Sequence, residues 1–122
     1  MKNKELQAVK AALYAMQFST YGEIKAVADA DSKIDAATQA AQVKYNGVFA
    51  ANKIKTANGR YDISPEHKLF AKVEMELQAK GNEESGIDIA FLTPEQFERA
   101  IATREPIPTE LLTIAVKYLV KS

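Results

Sequence analysis

The stretch TYGEIKAVADADSKIDAATQAAQVKYNGVFAA, residues 20–51, decides the architecture. Ile24, Val27, Asp31, Ile34, Thr38, Ala41, Tyr45 and Val48 alternate steps of three and four, the spacing that lines one side of an α-helix. Asp31 and Thr38 interrupt that face and Ala41 adds little area, so it is thin. Alanines at 26, 28, 30, 36, 37, 40, 41, 50 and 51 combine helix propensity with low bulk and let another backbone come close. Thr20 followed three residues later by Glu23 has the form of a capping box. At Asn46-Gly47 the pattern weakens. The helix either stops there or runs on to about Ala51, because one glycine costs only about 1 kcal/mol relative to alanine. A helix of about 30 residues is roughly 45 Å long, more than a domain of this size measures across, and such a rod is a scaffold for contacts.

Working outward, Asn3 can cap a first helix whose inner face is Leu6, Val9, Leu13 and Met16, with Phe18 closing it into the core. The short turn at residues 19–23 makes the first two helices an antiparallel hairpin. On the other side, Asn58-Gly59 is a turn and residues 60–63 a short extended segment. Ser64 as cap and Pro65 at the first helical position predict a third helix with Leu69, Phe70, Val73 and Leu77 inside, ending near Gly81. Residues 81–86 read as an exposed loop. Ile87 to Leu92 alternate as a half-buried strand does, with Tyr61 to Ile63 as its natural partner or, failing that, a second subunit. Thr93-Pro94-Glu95-Gln96 opens a fourth helix that buries Phe97 and Ile101. Pro106 and Pro108 separate it from a last helix bearing Leu111, Leu112, Ala115, Tyr118 and Leu119. The predicted fold is mainly α with a small β element: a helical hairpin with one long helix, two or three further helices, and a short strand or two-stranded sheet.

The 122 residues fit a single domain, 1–122, long enough to bury a core without staples. With 47% hydrophobic and 26% charged residues the composition is that of a globular protein, and no apolar run approaches the roughly 18 residues of a membrane span. No export signal is visible and cysteine is absent, which excludes disulfides and thiolate chemistry and points to the cytoplasm, that of a host cell if the chain is phage-encoded. Net charge is zero but unevenly spread. Residues 1–60 carry nine Lys/Arg against five Asp/Glu, a balance of +4; residues 61–122 carry seven against eleven, a balance of −4. The basic stretch Lys44, Lys53, Lys55 and Arg60, with no acid between, has too few cations and no stacking partners for a nucleic-acid footprint. The two halves are instead expected to attract one another, within the fold or between subunits.

No catalytic or metal-binding constellation emerges. His67 is the sole histidine, placed in the first turn of the predicted third helix without a nucleophile elbow to serve. Asp29-Ala30-Asp31-Ser32-Lys33-Ile34-Asp35 opens like a calcium loop, but Ile34 stands where the glycine is needed and Ala40 where the closing glutamate belongs. Lys25 with Asp29, and Asp29 with Lys33, read as helix-surface pairs. Glu74 and Glu76 are two apart and cannot share a helix face, while Glu83 and Glu84 sit in a solvated loop. The five glycines are dispersed and form no phosphate cradle. No cofactor is expected. The candidate binding residues are Lys25, Lys33 and Lys44 on the long helix, with Lys53, Lys55, Arg60 and Tyr61 beyond it.

Gly59-Arg60-Tyr61-Asp62-Ile63, the segment Phe70-Ala71-Lys72-Val73-Glu74-Met75-Glu76-Leu77, Ile87-Asp88-Ile89, Phe97 and the final Leu111 to Leu119 helix, in that order after a long Lys/Ala-bearing helix, resemble small phage and prophage proteins of unknown function grouped as the DUF1617 family. The resemblance implies a viral origin and no activity or catalytic residue; the alanine richness of the long helix departs from the family's more charged version. The expected function is therefore a non-enzymatic phage or prophage accessory role through protein–protein binding, in virion assembly or counter-defence, with a protein partner or a second copy of the chain. The alternative is an oligomeric binder of a nucleotide-like signal, with Lys53, Lys55, Arg60 and Tyr61 supplying cations and a stacking ring.

Overall fold

The computed structural model describes residues 1–54, 56–57 and 60–122. Five helices dominate: α1 (Leu6–Ala15), α2 (Tyr21–Ala51), α3 (Phe70–Asn82), α4 (Pro94–Ala100) and α5 (Thr109–Tyr118), with a 3-10 turn over Asn3–Glu5 ahead of α1. The molecule is mainly α. Among the described residues the strands are β1 (Thr56–Ala57) and β2 (Arg60–Tyr61), two residues each and antiparallel, with single-pair bridges at Lys2–Glu84 and Leu92–Val120.

The long helix forms without interruption through Gly47 and ends at Ala51. Thr20 caps it, its hydroxyl accepting from the Glu23 amide at 3.2 Å. The buried stripe runs through Ala30, Ile34, Ala37, Ala41 and Val48, with Val27 and Tyr45 half-buried on it. Steps of three and four are kept, but the stripe is rotated from the predicted one. Ala30 and Ala37 take the places given to Asp31 and Thr38, and Ile24 is 53% exposed. Small residues lie at the seam because two helices pack end to end along it.

Helix α1 lies antiparallel on the N-terminal half of α2. Leu6 packs with Ala37 and Ala41, and Lys10 reaches Asp35 at 2.6 Å and Asp31 at 3.6 Å. The Tyr14 hydroxyl donates to Asp31 at 2.8 Å. These contacts replace the pairs expected along α2, since among the described residues Asp29 pairs with neither Lys25 nor Lys33. Helix α3 covers the other half, with Lys44 bonded to Glu83 at 2.6 Å and Asn52 donating to Glu76 at 2.9 Å. Where α3 ends, the N-terminus is tied down: the Asn3 amide donates to the Glu83 carbonyl at 2.9 Å, and Ser85 N–H donates to the Met1 carbonyl at 2.9 Å. Of the predicted exposed loop, Gly81 and Asn82 belong to α3, and residues 83–86 anchor the N-terminus while Glu84 and Gly86 remain exposed. Asn3, 8% exposed, spends its side chain on the Lys80 carbonyl at 3.0 Å and does not cap α1.

The main core gathers Val9 and Leu13 of α1, Met16 just past its end, Ile34 of α2, Ile89, Leu92, Ala100, Ala115 and Leu119. The predicted strand from Ile87 to Leu92 does not form. The alternation holds from Ile87 to Ile89, with Asp88 exposed and Ile89 buried, and breaks at Leu92, which is buried too, so the segment serves as an extended strap across the core. Only its end is pinned, Phe91 and Leu92 donating to the Leu119 carbonyl at 3.1 and 3.0 Å while Lys121 donates to Leu92 at 2.8 Å. Its expected partner, Tyr61, is paired with Thr56 instead.

The third helix starts at Phe70, five residues later than Ser64-Pro65 predicts. Ser64 accepts from the Glu66 amide and bonds its carboxylate, and the His67 Nδ1 accepts from Leu69 N–H at 3.0 Å, so the chain turns twice before the helix begins. At α4 the predicted capping box forms, Thr93 accepting from Gln96 N–H at 3.1 Å and Gln96 from Thr93 N–H at 2.9 Å, while Phe97 and Ile101 are half-buried and Ala100 is the buried residue. No helix is long and apolar enough to cross a membrane among the described residues.

Candidate functional site

The sequence-predicted binding residues that the structure describes separate into four groups. At about 100° per residue, Lys25 falls opposite the buried stripe of α2, on a strip with Ser32, Ala36, Val43, Gly47 and Ala50, all exposed. Lys33 and Lys44 fall together on one flank. Lys33 borders a shallow cleft where Asp29 and the strap residues Asp88 to Phe91 face it. Lys44 is bound to Glu83 at 2.6 Å, with Lys80 on the same carboxylate at 3.4 Å. The two lysines hold the Glu83 carboxyl below the usual carboxylate range, Lys44 being the larger cause. Lys44 thus fastens α2 to α3.

Lys53 has a different task. Its φ of 58° puts it in the left-handed region just past the end of α2. Its amide donates to the Ala50 carbonyl at 3.0 Å and the Ile54 amide donates to Phe49 at 2.9 Å, the paired bonds of a Schellman ending. Glycine is the usual residue at that position, and nothing in the local composition signals a lysine there. Lys55 lies outside the described residues. Arg60 and Tyr61 do come together, in a cleft of about 440 Å³ lined also by Gln42, Asn46 and Phe49. Tyr61 stacks on Phe49 with ring centroids 5.4 Å apart and planes 13° from parallel.

Residues not singled out from the sequence also carry features. Phe97, Ile101, Leu112, Thr113 and Val116 line an apolar groove of about 300 Å³ between α4 and α5. Glu5 accepts from the Tyr118 hydroxyl, which holds the Glu5 carboxyl below its ordinary range; burial foremost pushes the Tyr118 hydroxyl up. Glu23, 6% exposed, faces Arg99 at 3.7 Å. His67 is exposed and its ring serves only the turn before α3. Between α1 and α2, Asp35 beside Lys10 raises its ammonium, and Asp31 raises the Tyr14 hydroxyl it binds. Comparison with protein-family models, with characterised proteins and with solved structures finds no match.

Proposed function

We propose that the chain is a non-enzymatic phage or prophage accessory protein of the cytoplasm that acts by binding another protein, in virion assembly or against a host defence. The observation that carries the binding reading is the uncovered side of α2. Both α1 and α3 pack on one stripe, and Tyr21, Ile24 and Val43 remain 81%, 53% and 70% exposed along the same helix. Aromatic and aliphatic side chains left in water on a rigid element are the usual anchors of a protein interface. Lys25 lies on the same strip as Val43 and suits an acidic group on the partner. The small residues between, Ser32, Ala36 and Gly47, permit close approach of a partner helix, a second copy of the chain included. The phage assignment rests on the sequence resemblance alone.

The test is capture from native or infected cells with wild-type protein and with Val43→Asp, followed by mass spectrometry. Val43 is exposed, so the charge leaves the fold intact. A protein enriched by wild type and lost with Val43→Asp supports the reading; identical captures would remove α2 as the binding surface. Light scattering on the same pair reports whether the partner is the chain itself.

A further inference from the structure

Two clefts of about 430 and 440 Å³ meet beside the C-terminal half of α2 and share Gln42 and Phe49. One opens toward α3, where Tyr45, Glu74, Leu77 and Gln78 line it; the other opens toward β2, where Asn46, Arg60 and Tyr61 line it. Each falls within the size range of small-molecule sites.

Three kinds of chemistry converge there. The stacked Phe49 and Tyr61 rings form an aromatic wall on which a planar ring can lie. Gln42 and Asn46, one turn apart on α2, are joined by a bond of 2.9 Å from Gln42 Nε2 to Asn46 Oδ1. That bond fixes both amides and leaves Gln42 Oε1 as acceptor and Asn46 Nδ2 as donor without protein partners among the described residues. A fixed acceptor beside a donor complements the mixed edge of a nucleobase. Arg60 supplies a guanidinium that forms no ion pair among the described residues. Lys53 does not line the cleft and Glu74 borders the neighbouring one. One cation with a carboxylate nearby matches a single anionic group and disfavours a polyphosphate.

We propose that this double cleft binds a nucleoside monophosphate, the base lying on the Phe49–Tyr61 pair with its edge on Gln42 and Asn46 and the phosphate on Arg60. The assignment narrows the nucleotide-like alternative to one place and one charge state. It is independent of partner binding through α2, which capture with Val43→Asp reads separately.

The experiment is an NMR titration of isotope-labelled full chain with AMP, GMP, CMP and UMP, and with adenosine, guanosine, ATP and inorganic phosphate. A monophosphate is expected to shift the amides around Gln42 to Phe49 and Tyr61, with the matching nucleoside about tenfold or more weaker. Arg60→Ala should bring the monophosphate down to the affinity of the nucleoside, and Gln42→Leu should weaken both while the remaining spectrum stays folded. The proposal is overturned by an absence of shifts at about 5 mM ligand, by inorganic phosphate or ATP binding as tightly as the monophosphate, or by an unchanged monophosphate-to-nucleoside ratio in Arg60→Ala.

Discussion

The two halves of α2 are covered differently. The N-terminal half sits in a core built from α1, α4, α5 and the strap, where Val9, Leu13, Ile34, Leu92 and Leu119 are each no more than 1% exposed. The C-terminal half has α3 on one side and the aromatic cleft on the other, and its buried apolar side chains are few, Ala41 and Val48 of α2 with Val73 of α3, while Lys44 to Glu83 and Asn52 to Glu76 tie the two helices together. One continuous helix therefore joins a close-packed region to a loosely packed one. Hydrophobic burial rises with the number of layers over an element, whereas exposed polar contacts add little each. The rod draws most of its hydrophobic stabilisation from the first half.

The largest effect that could break this contrast comes from removing core volume. Leu13→Ala should cost about 3 kcal/mol, because the 1%-exposed leucine is enclosed by three elements that cannot close over the cavity. Val73→Ala in α3 should cost less, about 2 kcal/mol, although Val73 is 0% exposed, since it lies outside the main core and α3 can settle inward. Urea unfolding measures both, and hydrogen exchange sharpens the result. Leu13→Ala should speed exchange along the whole of α2, Val73→Ala only beyond about Ala41. Uniform acceleration in both variants would mean the halves unfold as one unit.

A second prediction has the opposite sign. Lys53 adopts a left-handed conformation that costs a side chain roughly 1 kcal/mol and glycine almost nothing. Its exposed side chain enters no ion pair among the described residues. Lys53→Gly should therefore stabilise the protein by about 0.5 kcal/mol after the added chain entropy of the unfolded state is discounted. An unchanged or lowered urea midpoint would count against the Schellman ending. If the gain appears only in exchange of α2's last turns, the C-terminal half frays on its own.

The long helix, its threonine cap, the antiparallel hairpin and the Thr93–Gln96 capping box were legible in the sequence because each is encoded by neighbours three or four residues apart. What could not be read depends on distant partners. Asn3 looks like a cap, but the Lys80 carbonyl, brought to it by α3, claims its side chain. Ser64-Pro65 carries a start signal, yet the backbone bonds at His67 delay the helix to Phe70. Ile87 to Ile89 alternates because one side meets the core, a condition that a strap satisfies as well as a strand, and Leu92 is buried from the other side. Among the binding residues, the adjacency of Arg60 and Tyr61 was legible, whereas Gln42, Asn46 and Phe49, which make their cleft, carried no signal beyond helical spacing.

At the packed end, Tyr118→Phe removes the hydroxyl that donates to Glu5, with an expected cost of about 0.5–1.5 kcal/mol at neutral pH. Glu5 has a depressed folded-state pKa, so its contribution is complete above the unfolded carboxylate value of about 4.3 and disappears as pH falls through the lower folded value. The penalty should accordingly shrink in acid. Thermal melts of the two proteins should converge there, and a constant gap would point to lost packing instead.

The smallest effect is expected at the open end. Lys44→Ala removes the larger of the two cations that lower Glu83, while Lys80 remains at 3.4 Å. The depressed folded pKa again confines the stabilisation to pH above the unfolded carboxylate value, with loss as pH falls through the folded one. Both side chains are well exposed, so salt should screen the pair, and a melting difference visible in dilute buffer at pH 7 should fade in high salt and at acid pH alike. Lys33→Ala is the control on the same flank, without an ion pair among the described residues, and should show neither dependence. Equal behaviour of the two variants would mean that α3 is held to α2 by Val73 and its neighbours alone, and that the polar character of the open half has no part in fastening it.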